Sequence, residues 1–113
     1  MSLSVFINKA LNNEAISFNE TIAVIHENYD YHPAEFINGG LVNTAGTNEG
    51  SCKIFAFAQL NELTQQQTLN LFGDYYWQDV LKAPEGTGHQ NIRNFMRFGW
   101  DGIQFNGNPL TPK

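Results

Sequence analysis

The sequence predicts an α+β fold: a mainly helical single domain with a small antiparallel sheet of short strands. Apolar residues recur at helical spacing in several segments, whereas two short apolar runs lie beside Asn-Gly or Asp-Gly pairs, which are typical of strand ends. The chain has 113 residues, 42% of them hydrophobic, so it can bury one core without disulfides. We therefore expect one domain that spans residues 1–113.

Two helices are predicted near the start of the chain. The segment Ser2–Asn13 places apolar side chains three and four residues apart, which indicates a short amphipathic helix. Ser17 and Glu20 have the spacing of a capping box, and the apolar stripe of a second helix continues from there to Tyr29. Pro33 ends that stretch because proline restricts the residue before it to extended conformations.

Three short strands are expected. Phe36–Val42 predicts two strands joined at Asn38-Gly39, since asparagine and glycine both tolerate a positive φ. Ile103–Phe105 follows an Asp-Gly turn and is predicted as the third strand. From Asn106 onwards we expect a turn and a frayed tail.

The segment Cys52–Leu60 is almost continuously apolar, and its periodicity fits a buried helix or a buried strand equally well. We predict a helix because Ser51 is a good N-cap and Ala56 and Ala58 are poor strand residues.

Three more helices complete the prediction. Thr64 opens a capping box for a helix that ends at Gly73. Asp74 caps a following helix that reaches Lys82, and a last helix runs from about His89 to Phe98.

Charge and cysteine content exclude several classes of function. Six Lys and Arg stand against eleven Asp and Glu, and the net charge of −5 arises in the first half of the chain. Nucleic acids and anionic membranes bind clustered basic residues, so neither is expected as a partner. Cys52 is alone, which excludes an internal disulfide and a multi-cysteine metal site. His26, Asp30 and His32 match no strong metal-ligand spacing, and we expect no metal and no cofactor.

One hypothesis is a cysteine-dependent enzyme. If Ser51 caps the helix, Cys52 lies in its first turn, where the helix dipole favours the thiolate. His89, at the start of another helix, would then act as the base for acyl transfer or thiol chemistry. The alternative is that Cys52 is a small buried hydrophobic residue.

A second hypothesis is a binding site where two Gly-rich loops meet. Residues 43–52 and 86–93 each lead into a helix start, whose free N–H groups suit an anion or a carbonyl oxygen. Three consecutive rings, Tyr75 to Trp77, point in different directions on a helix, so at least one should be exposed. The binding candidates are Asn43, Asn48, Ser51, Arg93, Tyr75 and Tyr76.

Several strings together resemble the HopJ type III effector family over about residues 16 to 110. The matching segments are Asn43–Ala58, Thr68–Leu81, Pro84–Phe95 and Gly99–Gly102. The sequence differs from the family pattern at Trp77, where that pattern has a basic residue. The family is named for bacterial proteins injected into plant cells by a type III secretion machine. The resemblance implies no established reaction and no catalytic residue.

The resemblance implies a bacterial protein that stays in the cytoplasm or is secreted by a type III system into a host cell. The first acidic residue is Glu14 and Leu3 is aliphatic, a pattern that resembles such export signals, although a packed helix accounts better for Phe6 and Ile7. The leading interpretation is a soluble protein that acts by binding a protein or small-molecule partner. The sequence does not define the oligomeric state.

Overall fold

A computed structural model describes residues 2–113 and shows the predicted α+β fold. The α-helices are α1 (Leu3–Leu11), α2 (Phe18–Asn28), α3 (Glu49–Leu60), α4 (Gln65–Asn70) and α5 (Gln90–Phe98). A π-helix covers Tyr75–Val80, and a 3₁₀ turn covers Gly99–Gly102. The strands are β1 (Tyr29–Tyr31), β2 (Glu35–Asn38), β3 (Leu41–Asn43), β4 (Ile103–Asn106) and β5 (Leu110–Pro112).

The strands form two small antiparallel sheets. The predicted hairpin and third strand make a sheet with the order β3-β2-β4, in which Phe36 lies opposite Phe105. Its turn is Gly39-Gly40, both with positive φ, while Asn38 stays in the strand and is fully buried. The predicted turn residues are therefore displaced by one position.

The second sheet pairs β1 with β5 and corrects the prediction of a frayed tail. Tyr29 lies opposite Pro112, so α2 ends at Asn28 and Tyr29 begins a strand instead of extending the helix. Both strands are only three residues long, too short for alternation to reveal them, and each depends on a partner distant in sequence. Burial of Tyr29 and Leu110 holds the pair against the core.

The helix starts at Ser17 and Thr64 agree with the predicted caps, Ser2 is a cap outside the predictions, and the other starts differ. The side chains of Ser2, Ser17 and Thr64 accept bonds from first-turn N–H groups, and Thr64 completes its capping box with Gln67. The predicted caps at Ser51 and Asp74 are wrong. Helix α3 begins earlier, at Glu49, and Asp74 has helical dihedral angles that continue the preceding turn. Helix α4 also ends at Asn70, before Gly73.

Helix α3 forms the centre of the core. Its residues 54–58 are all buried, which explains why its apolar pattern showed no helical period. The Phe55 ring packs against the rings of Phe36, Phe72 and Phe95. Strand β2, the turn after α4, and α5 thus each place an aromatic ring on α3. No helix within residues 2–113 is long and apolar enough to cross a membrane.

Candidate functional site

A cleft of about 560 Å³ lies where the start of α3 meets the start of α5. The two Gly-rich loops, some forty residues apart in sequence, therefore come together in space. The residues that line the cleft are Phe18, Leu41, Asn48, Gly50, Ser51, Phe72, Tyr75, His89, Gln90, Asn91 and Ile92.

Side-chain amide groups hold the two helix starts together, and all of them except the exposed Asn48 are buried. The Oδ1 atom of Asn43 accepts hydrogen bonds from Asn48 Nδ2 at 2.7 Å and from Asn91 Nδ2 at 2.9 Å. Asn43 Nδ2 donates back to Asn91 Oδ1 at 3.2 Å, and Asn38 Nδ2 donates to the Asn91 carbonyl at 2.8 Å. Asn43 is thus the residue that ties α3 to α5, and we name Asn38, Asn43, Asn48 and Asn91 the amide cluster.

Both helices begin in an unusual way. Asn48 and His89 occupy the N-cap positions of α3 and α5 in the left-handed conformation, with φ of 49° and 56°. An N-cap residue is normally extended and its side chain accepts a first-turn N–H, but neither side chain does so here. The first-turn residues of both helices line the cleft. Two sets of N–H donors therefore lack a side-chain acceptor at the place where the helix dipoles are positive.

Aromatic rings form another wall of the cleft. Phe18 and Tyr75 meet edge to face with ring centroids 4.9 Å apart, and Tyr75 lies 5.2 Å from the His89 ring. A Cβ at position 50 would lie 2.9 Å from the Phe18 ring, so Gly50 lets that ring approach α3. His89 Nε2 lies 3.1 Å from Asp79 Oδ2, which orients the imidazole. Tyr75 is 42% exposed and offers its ring to a ligand.

Comparison with known proteins places the chain in a family. The family model for the HopJ type III effector protein matches residues 3–110. The chain belongs to the HopJ family. Among solved structures, the crystal structure of the unknown-function protein VPA0580 is 52% identical. It superposes with a TM-score of 0.97, over 100% of this chain and 95% of that one. Among curated proteins, none matches the sequence.

Three predicted binding residues of this HopJ domain lie outside the cleft lining: Asn43, which belongs to the amide cluster, Tyr76 and Arg93. Tyr76 is buried, and its hydroxyl accepts a hydrogen bond from Gln66 Nε2 at 3.3 Å. Arg93 donates from Nε to the Gly88 carbonyl and from Nη1 to the Ala83 carbonyl, which fixes the loop between them. The residues missed by sequence reasoning include Phe18 and Asn91, whose helical patterns gave no sign of a shared site.

Cys52 and His89, the proposed catalytic pair, have separate contacts. Cys52 is 1% exposed and does not line the cleft, and its Sγ faces the Ala34 carbonyl at 3.9 Å. Burial, together with the nearby charge of Glu49, raises the pKa of the Cys52 thiol to about 11. The pairing of Cys52 as nucleophile with His89 as base stays a prediction. The contact of Cys52 with Ala34 and that of His89 with Asp79 do not favour it. Within residues 2–113 no group of three His, Cys, Asp or Glu could hold a metal ion.

We expect Cys52 to react slowly with iodoacetamide in the folded protein. A thiol with a raised pKa is protonated at neutral pH, so the labelling rate should stay low to about pH 9 and rise only towards pH 11. The rate is measured by mass spectrometry against pH.

The folded state keeps the proton of the Cys52 thiol after the unfolded chain has lost it, so the free energy of unfolding should fall as the pH rises from about 8.5.

The His89→Ala variant is the control for this thiol prediction, and its labelling rate should be unchanged. Rapid labelling at pH 7 that disappears in His89→Ala would contradict the prediction and support the cysteine-dependent enzyme.

Proposed function

We propose that this HopJ-family protein binds a small molecule in the cleft between the starts of α3 and α5. The ligand presents a carboxylate or carbonyl oxygen to the first-turn N–H groups and a flat apolar body to Phe18 and Tyr75. The observation that carries the proposal is that one cleft combines two helix starts without side-chain caps and an aromatic wall.

The size and lining of the cleft support this class of ligand. A volume of about 560 Å³ lies in the range of small-molecule sites, which are mostly apolar with a few polar groups that fix orientation. The amide cluster holds the polar groups in place before a ligand arrives, so little conformational freedom is lost on binding.

The negative charges near the cleft restrict the class of ligand that can bind there. The Asp79 carboxylate contacts His89, one of the lining residues, and Glu49 lies in the first turn of α3. These negative charges oppose a ligand with several negative charges, such as a polyphosphate. A single carboxylate or a neutral carbonyl fits better, because each needs only hydrogen-bond donors.

The proposal is tested by titrating the ¹⁵N-labelled protein with benzoate, phenylacetate and indole-3-carboxylate, and with benzylamine as the charge-reversed probe. We expect the carboxylates to shift the amide resonances of Ser51, Gln90 and Asn91. Tyr75→Ala should weaken binding about three- to tenfold, because an aromatic contact contributes about 1 kcal/mol.

Trp77→Ala is the matched control, since Trp77 has the same exposure as Tyr75 (43%) but does not line the cleft. The proposal is wrong if no carboxylate shifts these amides at millimolar concentration, or if Trp77→Ala weakens binding as much as Tyr75→Ala.

A further inference from the structure

A second depression lies between the π-helix and α5, and we name it the Arg97 groove. It has a volume of about 300 Å³ and is lined by Val80, Leu81, Pro84, Arg93, Met96 and Arg97. It shares no lining residue with the cleft. We propose that the Arg97 groove binds a short segment of a partner protein that carries acidic and large apolar side chains.

The groove exposes apolar side chains that the core does not use. Leu81 and Met96 are 39% and 37% exposed, and both line the groove. Trp77 lies one turn before Leu81 on the π-helix and is 43% exposed. Covering Leu81 and Met96 with apolar groups of a partner removes their exposed surface from water, which is favourable.

The charge of the groove is opposite to that of the whole protein. Arg93 and Arg97 line it and Lys82 follows Leu81, so three of the six basic residues are close together in a chain of net charge −5. Within residues 2–113 the ion pairs join Lys9 to Glu20 and His89 to Asp79, so Arg97 has no carboxylate partner. Glu85 is the acidic residue on the adjoining loop. A carboxylate on the partner would therefore meet an excess of positive charge.

The groove is formed before any partner binds. Arg93 bonds the carbonyls of Ala83 and Gly88 at 2.9 and 2.6 Å, which holds the loop that carries Pro84 against α5. Little backbone ordering is then needed on binding. The small volume accommodates one or two side chains, so we expect a transient complex with a dissociation constant of about 0.1 mM.

The test uses two pools of fluorescein-labelled short peptides and the full chain. One pool alternates Glu or Asp with Leu or Phe, and the other replaces every acidic residue with Lys. We expect anisotropy to show binding of the acidic pool that is about tenfold tighter than that of the basic pool and weakens with salt. The Arg97→Glu variant should weaken binding of the acidic pool at least about fivefold.

Two matched variants distinguish the groove from general surface effects. Lys113→Glu changes the net charge by the same amount at an exposed site that does not line the groove, and it should alter binding less than about twofold. Leu81→Ser should weaken binding more than Leu60→Ser, since Leu60 is 54% exposed on α3.

Three outcomes would overturn the proposal: no binding of the acidic pool at millimolar protein, equal binding of both pools, or an unchanged affinity in Arg97→Glu. Binding to phosphatidylserine vesicles that Arg97→Glu removes, without binding of acidic peptides, would assign the groove to lipid and overturn it as well. None of these measurements depends on a ligand in the cleft, so this proposal and the proposed function fail separately.

Discussion

Replacement of Phe6 with alanine is expected to lower the free energy of unfolding by about 4 kcal/mol. Phe6 is fully buried, and its ring packs edge to face on Phe57 with centroids 5.8 Å apart. Alanine would leave a cavity between α1 and the central helix that the surrounding core cannot fill. The melting temperature should fall by roughly 15 °C, measured by circular dichroism.

Val5→Ala provides the control on the same helix, because Val5 is 51% exposed and its truncation should change stability by less than about 0.5 kcal/mol. The comparison bears on export. An unchanged melting curve for Phe6→Ala would show that α1 is detachable, as a free export segment would be, and not part of the folded domain. Removal of residues 1–12 should also lower the melting temperature, as Phe6→Ala does.

Replacement of Asn43 with alanine is expected to lower the free energy of unfolding by about 3 kcal/mol, because it removes the acceptor of the buried Asn91 amide and empties a buried site. Asn48 Nδ2 and Asn91 Nδ2 lose their shared acceptor, and the Phe36 carbonyl loses a donor at 3.4 Å. Urea denaturation measures the loss of stability. The same variant should also abolish binding in the cleft, since the starts of α3 and α5 are no longer tied together.

Asn108→Ala is the matched control, because Asn108 is exposed and should tolerate the change. The double variant Asn43→Ala, Asn91→Ala should be less destabilised than the sum of the two single variants, since the residues bond each other. Additive losses, or a loss below about 1 kcal/mol for Asn43→Ala, would contradict a connecting role for the amide cluster.

Local sequence signals predicted those parts of the fold that depend on neighbouring residues. The caps at Ser17 and Thr64 need only a hydroxyl three residues before an N–H, so the sequence contains the whole interaction. The left-handed cap at Asn48 is different. Its conformation is held by a bond from its side chain to Asn43, which depends on the packing of β3 against α5. No pattern within one helix can show this.

The same distinction applies to the candidate site. The Gly-rich loops predicted Asn43, Asn48, Ser51 and His89 as neighbours, and the structure brings them together around the cleft or its amide cluster. The choice between Tyr75 and Tyr76 required the π-helix, whose wider turn buries Tyr76 with Val80 and leaves Tyr75 exposed. Successive residues of a regular α-helix are rotated by about 100°, which predicts that at least one of the three rings is exposed but not which one.

The pairing of β1 with β5 and of β2 with β4 has a kinetic consequence. Each pairing joins segments more than sixty residues apart, so both sheets require large loops to close before their hydrogen bonds form. Folding should therefore be slower than for a helical bundle of the same length, despite the helical content. During that interval the apolar segment 54–58 has no strands to cover it. The rate of chain closure, more than the stability of the finished domain, then determines how long this segment is open to aggregation or to capture by other proteins.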